Sequence, residues 1–162
     1  MQTLILPGYS EHNKTWVDEV AKNLKFNGII RPFYWAHWTD ETNKFDAKEK
    51  ADLIAKHIKG DNINIIAKSL GTLVASYLYL LIPNQIEKII FCGIPLTSLN
   101  DDELEVIKSC ISKNDQKFLG FQNVGDPHGN FEEVKDFGNI LMRSRDDHEY
   151  PYFDEFNNFL TP

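Results

Sequence analysis

The stretch Ile65-Ile66-Ala67-Lys68-Ser69-Leu70-Gly71-Thr72-Leu73-Val74-Ala75 is an apolar run that stops at a serine and resumes at once with helical spacing. The run is too short for a helix and reads as a buried strand. The restart, with Leu73, Val74, Tyr77, Leu78 and Leu81, reads as a helix buried against the sheet centre that Pro83 ends. A strand and a helix with no linker between them need a sharp turn, and Ser69 stands at its tip. Such a turn brings the positions two before and two after the serine close to neighbouring elements, so both must be small. Ala67 and Gly71 meet that requirement.

Outward from this turn, short apolar runs alternate with segments of helical period. A first strand, Thr3 to Leu6, is ended by Pro7-Gly8, and Trp16, Val17, Val20 and Leu24 then share one helix face. Gly28-Ile29-Ile30 opens a second strand toward Phe33 and Tyr34. An aromatic loop, Trp35-Ala36-His37-Trp38, leads to a helix with Ala47, Ala51, Ile54 and Ile58 inward and Gly60 past its end. After the third strand, Ile63 to Ala67, and the helix behind Ser69, Ile86 to Cys92 is a fourth strand. Asn100 and Glu103 form a capping box for a helix with Leu104, Ile107 and Ile111 inward. Phe118 to Val124 is a fifth strand, Phe131, Val134 and Phe137 mark a short helix, and Ile140 to Met142 is a sixth strand. Tyr152, Phe156, Phe159 and Leu160 mark a closing helix. The order predicts an α/β three-layer sandwich with a mostly parallel sheet of about six strands. Chemistry is then expected at the carboxyl ends of the strands.

The 162 residues, 42% of them hydrophobic, suffice for one core, so residues 1–162 read as a single domain. With 24 acidic against 17 basic side chains the net charge is −7, and no dense Lys/Arg stripe is present to neutralise phosphates. Nucleic acid and anionic membrane are therefore poor partners, and no apolar stretch approaches the roughly 20 residues of a membrane span. Cys92 and Cys110 lie outside any Cys-x-x-Cys or Cys/His spacing, and no charged-then-apolar leader precedes the first strand. These features fit a reduced, cytoplasmic protein without disulfides. Five histidines scattered without ligand spacing give no metal site. Leu6-Pro7-Gly8-Tyr9 follows the first strand where a phosphate loop would sit, but neither glycine-rich nucleotide signature is present, and no cofactor is expected. The chain reads as monomer or homodimer.

A serine hydroxyl is a weak nucleophile at neutral pH and needs a base, held in the right tautomer by a third group. Asp126, directly after the fifth strand, is the candidate acid, although Gly125-Asp126-Pro127 is also ordinary turn chemistry. His148, directly after the sixth strand, is the candidate base. Asp146 and Asp147 are rival acids, but immediate chain neighbours rarely reach a histidine Nδ1 in the required geometry. His12, Trp35, His37 and Trp38 are candidates for substrate contact, with packing as the equal alternative for the aromatic loop. His57 reads as a helix boundary residue, His128 as a loop residue and Lys68 as exposed and solvated.

The order Ser69, Asp126, His148, each following a strand, resembles the α/β-hydrolase fold family, specifically its small members without a cap domain, over nearly the whole chain. The matching pieces are Leu6-Pro7-Gly8-Tyr9, Ala67-Lys68-Ser69-Leu70-Gly71, Gly125-Asp126-Pro127 and Asp147-His148. Pro7 stands where the family often has histidine, and Ala67 replaces the first glycine of the turn. The resemblance implies Ser69 as nucleophile, His148 as general base then acid, Asp126 as its orienting group, and the backbone N–H groups of Tyr9 and Leu70 as oxyanion donors. The expected function is that of a serine hydrolase cleaving a small ester or related acyl substrate through an acyl-enzyme. The alternative is a catalytically silent protein of the same fold that binds a partner.

Overall fold

The computed structural model describes residues 1–58 and 60–161. The twelve principal elements follow the predicted order: β1 (Gln2–Leu6), α1 (Asn13–Asn23), β2 (Ile29–Pro32), α2 (Ala47–His57), β3 (Ile63–Lys68), α3 (Leu70–Leu81), β4 (Ile86–Cys92), α4 (Asp101–Lys113), β5 (Phe118–Asn123), α5 (Phe131–Val134), β6 (Ile140–Arg143) and α6 (Phe153–Leu160). The strands form one sheet in the order β2-β1-β3-β4-β5-β6, parallel throughout. Parallel strands need helical crossovers that cover both faces. The strand alternation divides the core accordingly. Leu4, Leu6, Ile63, Ile65, Ala67, Ile89 and Phe91 pack under α2, α3 and α4. Ile5, Ile66, Ile90, Cys92 and Phe121 face α1 and α6. Among the described residues no further folded unit is inserted between the strands, and no helix is long and apolar enough to cross a membrane.

Local signals place the boundaries. Asn100 and Glu103 form the reciprocal capping box at the start of α4, and Asp46 caps α2 by accepting the Glu49 N–H. One expected face is corrected: Leu81 is 47% exposed, because the last turn of α3 lies outside the packed layer.

The chain leaves β1 for the edge strand β2 and returns across it to β3, so the direction of winding reverses between β1 and β3. Loops at such a switch point diverge and leave a crevice at the carboxyl ends of the strands. The turn after β3, which carries Ser69, opens there beside the loop after β1. A Cβ placed on Gly8 in that loop would lie only 2.9 Å from the Ser69 Cβ.

The closeness of α3 to β1 requires Gly71. A Cβ there would stand 2.2 Å from the Leu6 carbonyl oxygen and 2.7 Å from that of Pro7, and neither backbone atom can yield cheaply. Gly71→Ala is expected to lower the melting temperature by about 5 °C or more in calorimetry; an unchanged transition would contradict this packing.

Candidate active site

Ser69 has φ 54° and ψ −129° and is the one non-glycine residue with positive φ among the described residues. Such a conformation costs of order 1–3 kcal/mol and persists only where the surroundings impose it. Here the Ser69 N–H donates to the Cys92 carbonyl across the β3–β4 pair at 3.0 Å. Thr72 donates back to the Ser69 carbonyl with its N–H at 2.9 Å and its hydroxyl at 2.7 Å. The serine is thereby lifted to the end of the sheet and is half-buried there.

Leu70 is the first residue of α3, where a helix leaves its N–H groups without internal acceptors. The facing loop is set by indole and imidazole donors. Trp35 Nε1 donates to the carbonyls of Pro7 (3.1 Å) and Gly8 (3.0 Å), and His37 Nε2 and Trp38 Nε1 both donate to the Tyr9 carbonyl at 2.7 Å. With the carbonyls of Pro7, Gly8 and Tyr9 drawn to one side, the peptide planes of the loop are fixed. The aromatic segment thus props this loop. Trp35 is buried in the core, with its indole N–H on the Pro7-Gly8 turn, in accord with the packing alternative. His37 also stacks on Tyr9 with ring centroids 4.6 Å apart, and His12 is exposed immediately before α1.

Across the sheet, His148 Nδ1 lies 2.6 Å from Asp126 Oδ2. Tyr150 donates its hydroxyl to the same carboxylate oxygen, while the His128 N–H donates to Asp126 Oδ1 at 2.8 Å. Burial raises the Asp126 pKa, but the hydrogen bonds from His148 and Tyr150, the His148 charge and the His128 N–H together hold it below the usual carboxylate value. Burial, then the bond to Asp126, pushes the Tyr150 phenol far up, so it remains a donor. Asp147 is engaged elsewhere, by Arg145 Nε at 2.9 Å and Nη2 at 2.5 Å. The structure therefore pairs His148 with Asp126 and not with its chain neighbour.

The loop around His148 is tied down by groups that sequence reasoning passed over. Asn123, fully buried at the end of β5, donates its Nδ2 to the carbonyls of Asp147 and Glu149, both at 2.8 Å, on either side of the histidine. Trp16 Nε1 donates to the Tyr150 carbonyl at 3.0 Å, and the Asn123 N–H donates to the Tyr150 hydroxyl at 3.2 Å. Gln122, also fully buried, accepts the Ile94 N–H at 2.9 Å and donates to the Gly129 carbonyl, clamping the loop after β4 to the loop that carries Asp126. The signal was present: two consecutive amides end an otherwise apolar strand, and a buried amide demands partners. Gly93, with φ 66°, lets the histidine and Tyr150 pack closely on the loop after β4. A Cβ there would lie 2.9 Å from His148 Cε1 and 2.6 Å from the Tyr150 ring, and Gly93 follows the Cys92 whose carbonyl binds Ser69. His148 Nε2 is buried and has no hydrogen-bond partner among the described residues. His128 packs edge-on to it, with centroids 4.6 Å apart.

Lys68 departs from expectation. It is 3% exposed, its Nζ 3.3 Å from Glu149 Oε2 and 5.7 Å from the Trp16 ring centroid, because alternation along β3 turns it to the α1 side, beneath the His148 loop. It is not a solvated lysine beside the cleft. Cys92 and Cys110 are buried free thiols; burial raises both, Cys110 to about 12, so neither offers a thiolate nucleophile.

The lowered Asp126 pKa links folding to pH. A carboxyl whose folded value is depressed contributes stability that is fully present above its unfolded value of about 3.9 and is lost as pH falls below it toward the lower folded value. Asp126→Asn is expected to flatten the acid limb of melting temperature against pH below about 4; an acid limb as steep as that of the wild type would contradict the assigned carboxylate.

No family model matches the sequence, and no curated protein matches it. Solved structures do resemble the fold. Est1E from Butyrivibrio proteoclasticus, with ferulic acid bound, superposes with a TM-score of 0.71 at 13% identity, covering 98% of this chain and 87% of that one. A putative YdeN-like hydrolase from Pectobacterium atrosepticum gives 0.67 at 13% identity over 98% and 89% of the two chains. The monoacylglycerol lipase of Paleococcus ferrophilus gives 0.64 at 10% identity over 97% and 91%. At such identities the likeness concerns architecture, and it spans nearly all of both partners: the chain has the α/β-hydrolase fold.

Proposed function

We propose that the protein is a serine hydrolase that cleaves a small ester or related acyl compound through an acyl-enzyme on Ser69. The observations that carry this reading are a strained Ser69 at the end of β3 and a His148 whose Nδ1 is held by Asp126 and whose buried Nε2 has no partner among the described residues. The kinds of protein that share the fold, a lipase and an esterase-type chain holding ferulic acid among them, accord with acyl chemistry.

In this mechanism His148 Nε2 takes the Ser69 hydroxyl proton as Oγ attacks the acyl carbon. The bond from His148 Nδ1–H to ionised Asp126 fixes the tautomer that leaves Nε2 free to accept, and it stabilises the imidazolium that forms. The carbonyl oxygen becomes an oxyanion within reach of the Leu70 and Tyr9 N–H groups, and each such donor is worth about 2.7–4 kcal/mol in the transition state. The tetrahedral adduct collapses, the alcohol leaves with the proton from Nε2, and water repeats the sequence on the acyl-enzyme to release the acid. Among the described residues no unit is inserted above the crevice, which suits a substrate that is small or presented on a larger molecule.

Steady-state hydrolysis of p-nitrophenyl acetate tests the assignment. Ser69→Ala and His148→Ala are each expected to lower kcat by roughly a thousandfold or more, with far-ultraviolet circular dichroism unchanged. Activity retained in a folded Ser69→Ala protein would assign the chemistry elsewhere.

A further inference from the structure

Besides propping the loop after β1, Trp35 lines a second cavity, of about 420 Å³, between the edge strand β2 and α2. That volume falls within the range of small-molecule sites, about 300–1,000 Å³. Phe33, Trp35, Ile54 and Ile58 supply an apolar lining, and three basic side chains, Arg31 from β2 and Lys50 and His57 from α2, complete it. No carboxylate lines the cavity. In a chain of net charge −7 this is a local reversal of sign.

The three basic groups are held but not neutralised. Arg31 Nε donates to Gln2 Oε1, and Gln2 in turn donates to Asp61, so Arg31 meets that carboxylate only through an amide. Lys50 Nζ stands 5.2 Å from the Trp35 ring centroid and 5.5 Å from that of Phe45. His57 donates Nδ1–H to the Leu53 carbonyl at 2.6 Å, so its Nε2 can only accept, which leaves Arg31 and Lys50 as the cations of the cavity. Among the described residues none of the three forms an ion pair.

We propose that this cavity binds a small amphipathic carboxylate, its aliphatic or aryl body on the Phe33–Trp35–Ile54 floor and its carboxylate between Arg31 and Lys50. Charge complementarity selects the anion, and the apolar floor of a cavity of about 420 Å³ selects a single short chain or ring over a polymer surface. An occupant packs on the same indole whose N–H holds the Pro7 and Gly8 carbonyls, so this site bears directly on the loop beside Ser69. The inference does not depend on Ser69 being reactive.

Amide and indole chemical shifts of the wild-type protein, titrated with octanoate, octanol or octylammonium, provide the test. Octanoate is expected to move the signals of Arg31, Ile54, His57 and the Trp35 indole. Octylammonium should leave them in place, and Lys50→Gln and Arg31→Gln should each weaken octanoate binding by roughly fivefold or more. Shifts confined to the Ser69 crevice, octanol binding as tightly as octanoate, or affinity unchanged in both variants would each overturn the assignment. A protein inert toward p-nitrophenyl acetate that still binds octanoate here would leave the inference standing while the hydrolase reading fell.

Discussion

The structure depends on one tight contact, the start of α3 pressed against the end of β1. Gly71 lies where any side chain would strike the Leu6 and Pro7 carbonyls, and this close approach forces the chain to turn at Ser69 with a positive φ. The Ser69 backbone is fixed on both sides, its N–H by the Cys92 carbonyl and its own carbonyl by the two Thr72 donors. The strain is offset by the surrounding ladder of parallel strands, so it is stored in the most deeply packed part of the sheet.

The second half of the site faces the opposite physical problem, a carboxylate in a largely buried setting. Asp126 is 4% exposed, and burial alone would favour its neutral form. Three donors reverse that preference, and two of them, Tyr150 and His148, come from the same loop. Ionised Asp126 and the His148 loop therefore hold each other, with Asn123 and Trp16 fastening the backbone on both sides. Lys68 adds a further tie through Glu149, from beneath the loop and away from the crevice.

Much of this was legible in the sequence because each element carries its own signature. The apolar runs of β3 and β4 are buried on both faces, as a central parallel strand must be, and the Asn100–Glu103 box announces α4. Ser69, Asp126 and His148 were singled out from their places after strands, and the structure puts Ser69 on the strained turn and pairs the other two. What remained hidden depends on contacts distant in the chain. Nothing near Trp35 says that its indole N–H reaches Pro7 and Gly8, so the aromatic loop read equally as a wall of the crevice and as packing, and its part in propping the loop after β1 stayed hidden. Lys68 carries a charge that favours solvent, and only the strand alternation combined with the position of Trp16 shows why it turns inward. Gln122 and Asn123 did leave a signal, two amides ending an apolar strand, but which carbonyls they bind, and that Tyr150 is buried beside them, depends on contacts far along the chain.

The claim on which the account rests is that Ser69 is activated by its surroundings. Intact-mass spectrometry after exposure to a fluorophosphonate measures this directly, since the reagent requires an activated serine and no knowledge of substrate. One adduct per chain on the wild type and none on Ser69→Ala is the predicted result. A folded wild-type protein that takes up no adduct, or an adduct that persists on Ser69→Ala, would contradict it.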